Sequence, residues 1–259
     1  MKFEILNVKH GFCAYAVGND GGVLLFDCGH SDTNRPSEYL PNHGMTCIRR
    51  FFVMNYDEDH ISDLIAVRRK LEIEILTRNK SLNSKQILSL KTSPISLAME
   101  EFLGMVESYT GEVDTKRLEP AGLRVKVFYN NYPSFMDTNN LSLLIFLDVG
   151  ILHFVLSGDL ERPGWLKLLE NREVKSYLSK VNVFIASHHG RESGYCNEVF
   201  EYCKPQVVVI SDGPIQHDTQ RMASIYAQHA SGIMFNTASG QEPCKVLTTR
   251  KDGNIYWDL

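Results

Sequence analysis

Long apolar runs are missing from this 259-residue chain. No stretch approaches ~18 uninterrupted apolar residues, which removes a membrane-spanning helix from the expectation. The first residues, Met1 to Leu6, begin directly as an alternating strand without an apolar core and cleavage site, so no signal peptide is expected and the cytoplasm is the expected compartment. Cysteine is sparse: the six, at 13, 28, 47, 196, 203 and 244, show no paired zinc spacing and read as buried thiols rather than disulfides. Cys28, beside Asp27, reads as core packing. An excess of positive charge is also lacking. The net charge of −4 is not the profile of a protein that grips long DNA by broad electrostatics, and small nucleotides or short single-stranded ends suit it better. Hydrophobic and charged contents of 43% and 22% are ordinary for a globular chain, and nothing suggests disorder.

What is present is a cluster. In Asn55-Tyr56-Asp57-Glu58-Asp59-His60, four side chains able to bind a metal fall within six residues. They follow the apolar run Phe51-Phe52-Val53-Met54, a buried strand by its aromatic and branched content. Apolar residues then recur at Ile61, Leu64, Ile65, Val67 and Leu71 with near-helical spacing, which places the cluster at a strand-to-helix turn. Such a turn gathers side chains above a sheet, and a helix start there favours anionic groups. Carboxylate oxygen with imidazole nitrogen suits Zn, Mn or Fe. From this stretch alone the plain reading, a helix capped by Asp57 or Asp59 with His60 on the surface, stays open.

Three later strands end in groups of the same kind. Leu152-His153-Phe154-Val155-Leu156-Ser157-Gly158-Asp159 closes on a turn-forming glycine and a carboxylate. Val181 to Ala186 leads into Ser187-His188-His189-Gly190, and Val207-Val208-Val209-Ile210-Ser211 into a loop carrying His217. Each taken singly has an ordinary structural reading as a cap, a buried hydrogen-bonding group or a loop residue. Their joint occurrence at strand ends points to one site.

These segments together resemble the metallo-β-lactamase fold superfamily, and within it the hydrolase domain of the bacterial competence proteins called ComEC. The superfamily motif H-x-H-x-D-H, often H-x-D-x-D-H in the ComEC-like branch, is matched by Asn55, Asp57, Asp59 and His60, with Asn55 the departure. Asn7-Val8-Lys9-His10-Gly11-Phe12-Cys13 is similar to the branch's D-V-G-Q-G-D-A segment, with Phe12 in place of the aspartate. Leu24-Leu25-Phe26-Asp27-Cys28-Gly29 is similar to its L-I-D-x-G strand. Asn139-Asn140-Leu141-Ser142-Leu143, Ser157-Gly158-Asp159, His188-His189-Gly190 and Val209-Ile210-Ser211 follow in the same order, so the likeness covers residues 3–60 and 118–257.

The resemblance implies an α/β fold of the αββα sandwich type, two mixed β-sheets flanked by helices, in one domain over residues 1–259. It implies that Asn55 and Asp57 belong to one metal position, that Asp59, His60 and His217 belong to another, and that Asp159 bridges them. The implied cofactor is one or two divalent ions, Zn or Mn. Asn55 offers only a neutral amide oxygen, and no histidine occurs between residues 61 and 152 to supply a further ligand. The first position is therefore expected to be weak, empty or selective for a harder ion. Asp59, His188 and His189 are the implied catalytic residues, one histidine protonating a leaving group or holding a phosphate oxygen. His188, nearer the strand end, is slightly preferred, and Arg191 beside the pair is read as a phosphate contact. ComEC proteins are membrane channels with a domain of this type attached.

Elsewhere, residues 3–8, 13–17 and 22–27 read as a meander with its turn at 18–22. Residues 77–118 differ in style and are expected to form a more variable helical insert, with a helix opened by Pro94 that packs over the site edge. Helices are expected over 165–177 and over 219–229, the latter capped by Asp218. The segments 245–249 and 254–257, around Lys251-Asp252-Gly253, predict a hairpin. The basic residues Arg68, Arg69 and Lys70 read as a solvated helix face.

The function expected from these readings is metal-dependent hydrolysis of a phosphodiester, as a phosphodiesterase or nuclease acting on nucleic acid or nucleotides. Two alternatives stay open. One is a catalytically degenerate binding module that kept the fold, and the other is an acyl ester or lactam hydrolase.

Overall fold

Side-chain alternation builds the layers. In Val23–Phe26, Leu24 and Phe26 point into one core while Leu25 points into another, the two-residue period of a strand buried on both faces. The computed structural model describes residues 1–92, 94–114, 118–237 and 240–259. Its strands, in chain order, are β1 (Lys2–Ile5), β2 (Ala14–Val17), β3 (Val23–Phe26), β4 (Cys47–Phe52), β5 (Glu72–Thr77), β6 (Leu123–Tyr129) and β7 (Leu143–Val149). There follow β8 (Leu152–Leu156), β9 (Val183–Ile185), β10 (Val207–Ile210), β11 (Ile233–Thr237), β12 (Gly240–Cys244), β13 (Val246–Thr248) and β14 (Ile255–Asp258). One six-stranded mixed sheet has the order β14-β1-β2-β3-β4-β5, a second has β13-β10-β9-β8-β7-β6, and β11 and β12 pair as a hairpin.

The sheets pack face to face. Phe3, Ile5, Phe26 and Phe52 of the first meet Ile145, Phe154, Leu156, Ile185 and Val209 of the second in one shared core, each such burial being worth about 1.5–3 kcal/mol. Helices α1 (Pro36–Asn42), α2 (Glu58–Ile61), α3 (Leu64–Lys70), α4 (Ser84–Ser89) and α5 (Leu97–Ser108) cover the outer face of the first sheet through Leu40, Ile61, Leu64, Ile87 and Phe102. Helices α6 (Arg162–Leu168), α7 (Arg172–Leu178) and α8 (Ala223–Tyr226) cover the second through Trp165, Val174 and Tyr226. The chain therefore has the expected αββα sandwich. Among the described residues no helix is long and apolar enough to cross a membrane.

The expected meander stands, with Gly21 N–H donating to the Gly18 carbonyl at 3.0 Å in its turn. The expected insert over 77–118 begins where β5 ends and holds α4 and α5, and residues 93 and 115–117 within it lie outside the described residues. Its long helix opens at Ser96, whose side chain accepts from Met99 N–H, rather than at Pro94. The single helix expected over 165–177 is two, broken where the Asn171 side chain caps α7.

The hairpin expected around residues 251–253 is not formed. β13 pairs in parallel with β10 while β14 pairs with β1 in the other sheet. Between them Thr248 caps a short helix α9 (Thr249–Asp252), its side chain accepting from Lys251 N–H, so turn-forming residues here carry the chain across the sandwich. Asp218 likewise caps no helix; its carboxylate binds Arg221 at 3.0 Å, and α8 starts later.

Candidate metal centre

Several strands of both sheets end at one place. β3 delivers Asp27, β4 the turn 55–60, β8 Asp159, β9 the turn 187–190 and β10 Ser211, and each of these strands has a parallel neighbour. Beyond the C-terminal ends of such strands, side chains from separate loops converge. The β1–β2 connection adds His10. Local backbone is held in uncommon conformations here: Asp27, His188 and His189 have φ of 54°, 51° and 54°. For residues with a Cβ that costs of order 1–3 kcal/mol each and persists only where surrounding contacts impose it. Gly29 passes so close to Asp59 that a Cβ would lie 2.1 Å from the Asp59 carbonyl oxygen.

The geometry is built outward from two imidazoles. Buried Asp27 accepts Met54 N–H on Oδ1 at 2.7 Å and holds His60 Nδ1 on Oδ2 at 2.6 Å. With Nδ1 so fixed, His60 Nε2 lies 3.1 Å from Asp159 Oδ1. His189 Nδ1 donates to the Ser211 carbonyl at 3.1 Å, which leaves its Nε2 3.1 Å from Asp59 Oδ2 and 3.7 Å from Asp159 Oδ1. One ring nitrogen tied to a carboxylate or carbonyl and the other free is the arrangement of a metal-ligating histidine.

His60 Nε2, His189 Nε2 and Asp159 Oδ1 are buried, make no well-formed hydrogen bond, and lie within 4.8 Å of one another. An unsatisfied buried polar atom costs about 1–3 kcal/mol. Three that face a common point fit a cation, and a cavity of about 10 Å³ lies among them, lined also by Phe12, Met54 and Ser211. That is room for an ion or one water. A second triad, His10, Asp59 and His189, adjoins the first, with His10 Nε2 3.5 Å from Asp59 Oδ2.

The electrostatics agree. Burial works to lower the pKa of His60, but the charges of Asp159, Asp27 and Asp59 overcome it and hold the imidazole well above its usual range. His189 is raised in the same way, burial being outweighed by the Asp159 charge and by the adjacent Asp59 carboxylate. Burial works to raise Asp59 and Asp159, yet the positive charge of His60 and His189 keeps both carboxyls low. Asp27 is pushed up to about 6 by burial, against the pull of His60. Three carboxylates thus draw protons onto the histidines, and a bound cation would take the place of those protons.

Of the sequence-derived candidates, Asp59, His60, Asp159 and His189 meet at this point. Asn55 and Asp57 are engaged elsewhere. Asn55 Oδ1 accepts Asp57 N–H at 2.9 Å and its amide donates to Asn139 at 3.3 Å, while the Asp57 carboxylate accepts from Thr138 and from Lys91. His217 is exposed, its N–H held by Gln220 Oε1 at 2.9 Å, and it belongs to neither triad. His188 sits to one side, its Nδ1 3.0 Å from Ser193 Oγ and 3.4 Å from Glu161 Oε1. His189, not the slightly preferred His188, reaches the cluster. β9 ends at Ile185 and both histidines lie in a left-handed turn, so strand alternation does not extend to them. Arg191 stands at the rim with Nη2 3.5 Å from His10 Nε2 and a buried, unpartnered Nε.

Asp27 and His10 take positions that the sequence did not assign. The signal for Asp27 is a carboxylate in an otherwise apolar run, Leu24 to Cys28. For His10 it is an imidazole beside a loop glycine. Neither signal names its partner.

No family model matches the chain. Among curated proteins it is 22% identical over 207 residues to ComE operon protein 3 of Bacillus subtilis (strain 168), which covers 78% of this chain and 25% of that protein. The chain thus spans about a quarter of the length of that relative. Among solved structures, the metallo-beta-lactamase fold protein YhfI from Bacillus subtilis superposes with a TM-score of 0.55 at 13% identity over 100% of both chains. Zn(2+)-bound PqqB from Methylobacterium extorquens gives 0.54 at 12% identity, also over 100% of both. CmlA, a diiron beta-hydroxylase from Streptomyces venezuelae, gives 0.55 at 10% identity over 99% of this chain and 54% of its own.

Proposed function

This chain has the metallo-β-lactamase fold, and from that premise we propose that it is a metal-dependent hydrolase whose substrate is a phosphodiester of a nucleotide or a nucleic-acid end. The observation that carries the proposal is the convergence of three buried ligand atoms that lack a well-formed hydrogen bond, His60 Nε2, His189 Nε2 and Asp159 Oδ1. These residues and Asp59 would hold a divalent ion, Zn or Mn by their nitrogen and oxygen donors. When bound, such an ion supplies Lewis acidity toward a substrate oxygen and lowers the pKa of water.

The chain's own residues do the rest. Asp27 and the Ser211 carbonyl orient the two imidazoles. His10, half exposed at the rim and 3.5 Å from Asp59, is placed to exchange a proton between the reacting group and solvent. Arg191 beside it offers a planar cation for phosphate oxygens. The phosphodiester assignment rests on this cationic rim and on the ComEC-like motifs. A second reading, a fold kept for binding without turnover, is favoured by the occupied state of Asn55 and Asp57.

The test is the metal content of protein purified without chelator, with cleavage of a generic phosphodiester and of single-stranded DNA under added Zn or Mn. Bound metal and cleavage lost in Asp159→Ala are expected. Bound metal without turnover of any ester supports the binding module. Turnover of neutral acyl esters unaffected by Arg191→Ala supports an acyl hydrolase, and absence of both metal and cleavage overturns the hydrolase reading.

A further inference from the structure

We infer that the Lys91 ammonium stands in for one of the two cations the motif is built to hold, so that the chain binds a single divalent ion. This rests on the metal-site reading proposed above. The observations concern which donor atoms are free and which are taken. Asp57 occupies the N-cap position of α2, yet its side chain makes no capping bond. Both its oxygens instead accept from Thr138 Oγ1, at 3.1 and 3.0 Å, and Oδ1 accepts from Lys91 Nζ at 2.7 Å. Asn55 has one atom to offer a cation, its amide oxygen, and that atom holds Asp57 N–H at 2.9 Å. In the metal cluster, by contrast, His60 Nε2, Asp159 Oδ1 and His189 Nε2 are buried without a well-formed hydrogen bond.

Charge explains why both arrangements do not coexist. Lys91, its side chain only 17% exposed, is a compact point charge in contact with the Asp57 carboxylate. A metal ion bound to Asp57 would contact the same carboxylate as the ammonium. Like charges on one partly buried carboxylate repel, and a divalent ion doubles the repulsion that a single charge would meet. Asn55, in the position where the motif has histidine, has no imidazole nitrogen to bind an ion, since its amide nitrogen only donates, to Asn139. Lys91 lies between α4 and α5, so the helical insert delivers the cation, and it does so at the wall of a cleft of about 520 Å³ lined also by Glu58, Ser96, Met99 and Thr138.

The test counts bound Mn(II) by electron paramagnetic resonance in wild type and in Lys91→Met, which keeps the aliphatic stem and removes the charge. Mn accepts the oxygen donors that Asn55 and Asp57 would then offer. One ion per chain in wild type and two in Lys91→Met are expected, with both proteins folded by circular dichroism. Two ions in wild type, or one in both proteins, overturns the inference and leaves the hydrolase site standing. None in a folded wild type overturns the metal site itself.

Discussion

Asp27 acts at one remove from the cluster. Its two oxygens divide the work, one taking Met54 N–H and the other His60 Nδ1, so Asp27→Asn has one acceptor oxygen for two donors. We expect metal affinity to fall about 10–100-fold, the usual effect of losing a ligand's orienting partner. Competition with a chelator measures it, and unchanged affinity in the variant would show that His60 is held by packing alone. Asp212 carries a pH prediction. Burial pushes its carboxyl up to about 6, while Arg250, bonded to it, pulls the other way. The unfolded group titrates near about 4. The neutral form is therefore favoured by folding, and its contribution to stability is complete below about 4 and lost as pH rises to about 6. Asp212→Asn should lack this decline, so thermal melts of the two proteins should converge in slope above pH 6 and differ below it. Identical slopes from pH 4 to 6 would place the carboxyl in ordinary solvation.

Residue identity alone showed that carboxylates and imidazoles gather at strand ends, and Asp59, His60, Asp159 and His189 do meet. It could not show that the Asp57 carboxylate turns toward Lys91, because Lys91 is distant in sequence and an ion pair leaves no periodic trace. Nor could it order His188 and His189, since a left-handed turn breaks the alternation on which such an assignment depends.

Elements were legible where apolar period and turn chemistry agree. The meander and the parallel strands of both sheets are of this kind, their apolar runs alternating between the two cores that each sheet separates. The error at residues 245–257 arose because Lys251-Asp252-Gly253 satisfies hairpin chemistry locally while the flanking strands belong to opposite sheets, a choice made by packing. Another tertiary device holds Asp159 in place. Asn140, from the β6–β7 connection, accepts Gly164 N–H at 2.9 Å and Glu161 N–H at 3.2 Å, and so fixes the start of α6 just after Asp159. Asn140→Ala should leave the buried Gly164 N–H unpaired, at a cost of about 1–3 kcal/mol. Urea unfolding gives the stability change. Weaker metal retention should accompany it, and a destabilised variant with full retention would uncouple α6 from Asp159.

At the scale of the whole molecule, the sandwich brings histidines and carboxylates from both sheets into one charged cluster beyond their shared core, and its protonation links fold to ligand. In the metal-free protein the carboxylate neighbours of His60 and His189 favour the protonated form of each imidazole. Their pKa values are raised, so their contribution to stability is complete below the unfolded histidine value of about 6.5 and is lost as pH rises through the folded values. An ion must displace those protons, so its contribution runs the other way and grows with pH. At a free metal concentration of 100 times Kd the gain is about 2.7 kcal/mol, or about 5–10 °C in Tm for a chain of this size. The difference in Tm between metal-loaded and chelator-treated protein should therefore widen from pH 6 to 8, and calorimetry in buffers of different ionisation enthalpy should register proton release on binding. A difference that stays flat across this range, or binding without proton release, would mean that the ion, if taken up at all, binds away from His60 and His189.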